Sequence, residues 1–136
     1  MLTVTKIFRF EAAHHLPHYK GPCNNFHGHS YKLEVTVSGN VCRDEMNEKC
    51  GMIMDFKDLK TVVKSVVDKY DHCNLNDYFE NPTAEIMVTD IGEEILSRLP
   101  FNVNLSSVKL WETDSSYAEY KPVYYPSQGR CLKSAT

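Results

Sequence analysis

Two histidines, His27 and His29, stand two residues apart in the stretch Cys23-Asn24-Asn25-Phe26-His27-Gly28-His29. In an extended backbone, residues i and i+2 project to one face, so both imidazoles can reach a single ion. Gly28 between them carries no side chain and lets a ligand or a second backbone approach. Imidazole nitrogen is a common zinc ligand, and three protein ligands with a fourth position open mark a catalytic zinc site. His14 and His15, upstream at the end of an apolar run, can supply the third ligand. By itself a His-x-His pair is often only two surface histidines. His14 and the nearby Cys23 are what turn the pair into a candidate metal site.

Cys23 has two possible roles. A thiolate beside a cation and imidazoles carries charge near neutrality and can serve as base or nucleophile. As a fourth zinc ligand it would instead close the coordination sphere and make the site structural. Asp71-His72 is a second pair of interest, because a carboxylate can fix a histidine tautomer and raise its basicity. Sequence neighbours need not touch, so another carboxylate could orient His72. The alternative is a polar helix exit with His72 near the helix dipole. Glu112 ends an apolar strand. It could accept two hydrogen bonds from the N–H edge of a guanine-like or pterin-like ring, or be a solvated strand end.

These residues need elements to hold them. Residues 3–13 read as a strand, with Val4, Phe8 and Phe10 on one parity, Arg9 and Glu11 on the other, and Lys6 breaking the alternation. The strand runs towards His14, at or just past its end. Pro17, Gly21 and Pro22 make 15–26 a loop. Residues 29–38 alternate Leu33, Val35 and Val37 with Lys32, Glu34, Thr36 and Ser38, a half-buried strand. A polar loop, 39–52, closes at Gly51. A helix follows over 55–70, with Asp55 as N-cap and a stripe from Phe56 through Leu59, Val62, Val63, Val66 and Val67 to Tyr70. A second covers 82–99, capped by Asn81, with Pro82 in its first position and a stripe of Val88, Ile91, Ile95 and Leu99. Strands at 106–113 and 117–124 meet at Asp114-Ser115-Ser116, and the tail from Pro126 reads as loop. This order predicts an α+β fold, a four-stranded antiparallel sheet with two helices on one face, formed by residues 1–136 as one domain.

Composition narrows the function further. The net charge of −3 gives no basic footprint for nucleic acid. No apolar run approaches the length of a membrane helix, and the N-terminus does not read as a signal peptide. Five cysteines, Cys23, Cys42, Cys50, Cys73 and Cys131, fit no disulfide framework, which points to a reducing cytoplasm. Cys42 and Cys50 flank the polar loop. They could bridge or bind metal, but read better as ordinary loop thiols.

The whole pattern resembles the 6-pyruvoyl-tetrahydropterin synthase / 6-carboxy-tetrahydropterin synthase family. The resemblance rests on Phe10-Glu11-Ala12-Ala13-His14, Cys23-x-x-x-His27-Gly28-His29, Met54-Asp55-Phe56-x-x-Leu59-Lys60, Tyr70-Asp71-His72-x-x-Leu75-Asn76, Glu80-Asn81-Pro82-Thr83-x-Glu85 and Trp111-Glu112-Thr113. It implies the tunnelling fold, with sheets joined into an oligomeric barrel, trimers stacked into a homohexamer, and active sites between subunits. It implies Zn2+ on His14, His27 and His29, Cys23 as proton-abstracting base, Asp71 and His72 as a relay, Glu112 as pterin anchor and a catalytic residue able to join that relay, and Thr83 as a substrate contact. The substrate implied is 7,8-dihydroneopterin triphosphate. The three-residue gap between Cys23 and His27 is similar to the bacterial carboxy enzymes of queuosine synthesis, as is Pro17-His18. The pyruvoyl enzyme, which eliminates triphosphate without losing acetaldehyde, is the alternative; a non-catalytic zinc module is a distant one. His15 departs from the arginine of many relatives. The loop holding Cys42 and Cys50 and the length of chain after Tyr120 depart as well.

Overall fold

The computed structural model describes residues 1–124. The first strand, β1, runs Thr3–His14, and β2 runs His27–Gly39. Helix α1 covers Phe56–Val67 and passes into a 3-10 turn at Asp68–Tyr70. A two-residue strand, β3 (Cys73–Asn74), and a second 3-10 turn, Leu75–Asp77, precede helix α2 at Ala84–Arg98. Strands β4 (Val103–Thr113) and β5 (Ser116–Tyr120) complete the order. The sheet has five strands in the order β3-β1-β2-β4-β5. Four form the expected antiparallel sheet. The fifth, β3, pairs parallel to β1 through Ala12–Cys73 and Ala13–Asn74.

Alternation decides which face packs. In β1 and β2 the buried positions, among them Phe10, Ala12, Tyr31, Leu33, Val35 and Val37, face the helices. Leu59, Val63, Val66 and Val67 of α1 and Met87, Val88, Ile91 and Ile95 of α2 close on them. Each such side chain removed from water contributes about 1.5–3 kcal/mol, so this core supports a weakly helix-forming, valine-rich α1. Asp55 caps α1 as its sequence predicts, accepting from Lys57 N–H while Lys49 Nζ donates to its other oxygen at 2.6 Å. Phe56, counted in the apolar stripe, is instead about half exposed at the first turn.

Helix α2 departs from its expected start. Its N-cap is Thr83, whose hydroxyl accepts from Ile86 N–H at 3.2 Å, not Asn81. Pro82 lies outside the helix, and its carbonyl serves a histidine described below. Gly92 tolerates its place in mid-helix because a Cβ there would stand 2.3 Å from the Tyr120 ring.

The expected strand 106–113 begins earlier, at Val103, and the expected strand 117–124 is the shorter β5. In the loop after β2, Cys42 N–H donates to Met52 O and Gly51 N–H to Cys42 O, and both Cys42 and Cys50 are free thiols. The tail from Pro126 and Cys131 lie outside the described residues. Among the described residues, no helix is long and apolar enough to cross a membrane.

Candidate metal centre

Strand register builds the site. In the antiparallel β1–β2 pair His14 lies directly opposite His27, and Ala12 opposite His29. All three histidines sit on the helix-facing side at one corner of the sheet. One ligand nitrogen from each lies within 4.8 Å of the others. The rings meet edge-on, with centroids 4.7–5.0 Å apart. The Tyr31 ring packs against His14 and His29, and its hydroxyl comes to 3.4 Å from His14 Nδ1.

Backbone carbonyls fix two tautomers. His14 Nδ1 lies 2.8 Å from Pro82 O, and His27 Nδ1 lies 2.7 Å from Asn25 O. A carbonyl only accepts, so each Nδ1 carries the proton and each Nε2 presents a lone pair. Those two Nε2 atoms stand 3.1 Å apart. They can bond each other only if one ring is cationic, yet burial pushes the His14 pKa down and disfavours the charge. His29 Nε2 is buried without a hydrogen bond; Glu112 Oε1 lies 3.4 Å away but outside bonding geometry. Three converging imidazole nitrogens, two of them proton-free and the third ring's Nε2 left without a hydrogen bond, fit a divalent cation, and the donor set suits zinc. The carbonyl-held Nδ1–H groups are the outer contacts that metal-bound histidines ordinarily make.

Desolvation also depresses the His29 pKa, with Glu112 opposing and His27 reinforcing the shift. For both His14 and His29 the folded value lies below the ordinary 6.5. The unfolded chain therefore binds more protons in that region, and stability rises with pH. The metal-free protein should lose thermal stability as pH falls from about 7.5 to about 5.5. A melting temperature that holds constant or rises over that interval would contradict the assignment of these rings as neutral.

Asp71 and His72 do touch. Asp71 Oδ1 lies 2.9 Å from His72 Nδ1 and also accepts from Glu11 N–H at 2.9 Å. The Glu11 bond, first, and His72 hold the Asp71 carboxyl below its usual range. His72 sits at φ 58°, the left-handed region, and donates its own N–H to Glu11 O. This strained turn is what lets a residue fold back onto its immediate neighbour. A cavity of about 510 Å³ joins His72 to His29, with Glu11, Phe26 and Ser30 on its walls. Another, of about 740 Å³, is lined by Glu112 together with Glu85, Thr89, Tyr117 and Lys121.

The structure thus brings His14, His27, His29 and Glu112 together and sets His72, bonded to Asp71, on the cavity shared with His29. Cys23 stands apart. It lies half-buried in a 3-10 turn, Pro22–Asn24, whose loop is closed by Leu16 N–H donating to Cys23 O at 2.9 Å. It is not among the donors gathered with the three histidines. Thr83 caps α2. The Pro82 carbonyl, which no side-chain motif announces, is the contact that sequence reasoning missed; only the proline's place between Asn81 and a helix start hinted at it.

Residues 3–123 match the family model described as 6-pyruvoyl tetrahydropterin synthase. The 6-carboxy-5,6,7,8-tetrahydropterin synthase of Haemophilus influenzae is 33% identical over 142 residues, covering 89% of this chain and 99% of its own. The dihydroneopterin monophosphate aldolase of Pyrococcus furiosus is 44% identical over 86 residues, covering 63% of this chain and 69% of its own. Among solved structures, Caenorhabditis elegans 6-pyruvoyl tetrahydropterin synthase superposes with a TM-score of 0.76 at 28% identity, covering 90% of this chain and 96% of that one.

Proposed function

The chain belongs to the 6-pyruvoyl tetrahydropterin synthase family, and from that premise we propose that it is a zinc-dependent carbon–carbon lyase. Its reaction converts 7,8-dihydroneopterin triphosphate and one water to 6-carboxy-5,6,7,8-tetrahydropterin, releasing acetaldehyde and triphosphate, as a cytoplasmic step towards queuosine. The observation that carries the reading is the corner where three imidazole nitrogens converge, two of them left proton-free by carbonyl-held Nδ1–H groups, with Glu112 beside them. The carboxy product is favoured by the name of the Haemophilus influenzae relative and by the three-residue gap between Cys23 and His27.

Each residue then has a task. His14, His27 and His29 hold zinc, which when bound supplies Lewis-acid polarisation of the substrate side-chain hydroxyls. Cys23 removes a proton from that side chain. Asp71 keeps the His72 Nδ1–H engaged, leaving Nε2 as the nitrogen that accepts and returns protons. Glu112 accepts from the N–H edge of the pterin ring, which occupies the cavity of about 740 Å³ that Glu112 lines. Thr83, at the mouth of α2, keeps a hydroxyl proton to donate to substrate while its oxygen caps the helix.

A second reading rests on the Pyrococcus furiosus relative: an aldolase acting on dihydroneopterin monophosphate. Incubating the purified protein with each phosphate ester and weighing the products decides between them. The carboxy reading expects 6-carboxy-5,6,7,8-tetrahydropterin and acetaldehyde from the triphosphate. A pyruvoyl product without acetaldehyde, or turnover of the monophosphate alone, would discard it.

The protein is further proposed to be one domain over residues 1–136 and to assemble as a homohexamer. Among the described residues, β1 from Thr3 to Phe10 has no partner on its outer side, nor has β5 on its own. Such edges are commonly closed by neighbouring copies. The same preparation should sediment at six chain masses, and a single-chain mass at micromolar concentration would refute the assembly.

A further inference from the structure

We propose that Asn76 is a positioning residue for the metal centre, holding the His14 ligand in place through the backbone of His15. The proposal rests on the reading of the three histidines as a metal site. Asn76 Oδ1 accepts from His15 N–H at 3.0 Å, and Asn76 Nδ2 donates to His15 O, also at 3.0 Å. One primary amide thus satisfies both backbone groups of a single residue, as a neighbouring strand would.

The location makes the contact consequential. Strand β3 pairs with β1 only at Ala12 and Ala13 and then turns away. The Asn76 side chain takes up the pairing two residues further on, at the point where β1 ends and the 15–26 loop begins. The N–H it holds belongs to the peptide plane joining His14 to His15 and the carbonyl to the plane after it, so it fixes the backbone next to the fully buried His14. The ring itself is held at one atom, by Pro82 O.

The support behind Asn76 is rigid. It sits in the 3-10 turn after β3, its N–H bonded to Asn74 Oδ1 at 3.0 Å, next to Leu75, which is wholly buried. A clamp anchored in the core can transmit position, where one on a free loop could not. Losing it leaves the chain just past His14 held on the β2 side alone, and His14 Nε2 meets the other two nitrogens at a less fixed point.

Contacts of this outer kind typically cost 10–100-fold in metal affinity when removed. The test is zinc affinity of the full chain, measured by competition with a chromophoric chelator, for wild type, Asn76→Ala and Asn76→Gln. The glutamine keeps the amide but cannot span both His15 groups at the asparagine distance. Val66→Ala, a core truncation in helix α1, which contributes no group to the clamp, controls for lost stability.

Both Asn76 variants should bind zinc roughly 10–100-fold more weakly than wild type, and Val66→Ala should bind as wild type does. Amide exchange at His15 should accelerate in the zinc-free Asn76 variants. If Asn76→Ala does not fold, Asn76→Gln decides. Wild-type affinity in a folded Asn76 variant would overturn the proposal while leaving the metal site intact. A wild-type chain that binds no zinc would fail the metal reading itself, and this proposal with it.

Discussion

Cys23→Ala is expected to keep its zinc and its fold while losing turnover by roughly 10²–10⁴-fold, the usual contribution of a positioned acid–base group. The expectation comes from placement. Three imidazole nitrogens already converge at the corner of the sheet, and Cys23 is not among the donors gathered there. What Cys23 gives the fold is its carbonyl, which closes the loop onto Leu16 N–H and survives the substitution. Removing a half-exposed thiol leaves no large cavity. Zinc content per chain, far-ultraviolet circular dichroism and turnover should therefore separate cleanly. Loss of zinc from the variant would make Cys23 a fourth ligand and the site a closed structural module. Wild-type turnover would assign the proton to another group.

Removing a histidine should do the opposite. His27→Ala and His29→Ala are each expected to lose nearly all zinc and, with it, activity. Two imidazoles cannot hold the ion as three do, and no other described donor joins the group. The three positions should differ in what they do to the metal-free fold. The His27 and His29 rings are partly exposed, and their loss costs packing little. His14 is fully buried under Tyr31 and tied to Pro82 O. Its truncation leaves a cavity and an unsatisfied carbonyl, for a loss of about 2–4 kcal/mol. Metal analysis of all three, with chemical denaturation in the presence of chelator, tests this. Full zinc retention in His27→Ala and His29→Ala would sink the site, and equal stability of all three variants would sink the account of His14.

Much of this architecture is legible in the sequence, for identifiable reasons. Strand alternation places Leu33, Val35 and Val37 on one face, and the structure buries them. The Asp55 cap is a local rule locally obeyed. Strand β3 escapes because two residues carry no periodicity; it exists through pairing with Ala12 and Ala13, which lie about sixty residues away. The start of α2 moves from Asn81 to Thr83 because the Pro82 carbonyl is committed to His14 rather than to a helical turn. The Asp71–His72 contact needs a left-handed residue, a conformation that a histidine's identity does not announce. Asn76 and Pro82 were hidden for a common reason. Both act on or through backbone groups, which every residue has.

The two bonds that fix the first ligand, Pro82 O to His14 and Asn76 to His15, span 68 and 61 residues of chain. The His14–His27 pairing spans 13. The hairpin carrying all three imidazoles can therefore form early, by closing a short loop, while the contacts that aim His14 wait for a much longer closure. A correctly shaped metal corner is thus among the later events of folding. Interactions that mature after the folding barrier act on the return path. Metal at this corner is accordingly expected to slow unfolding while leaving the refolding rate nearly unchanged, so that the holoprotein's persistence is kinetic as much as thermodynamic.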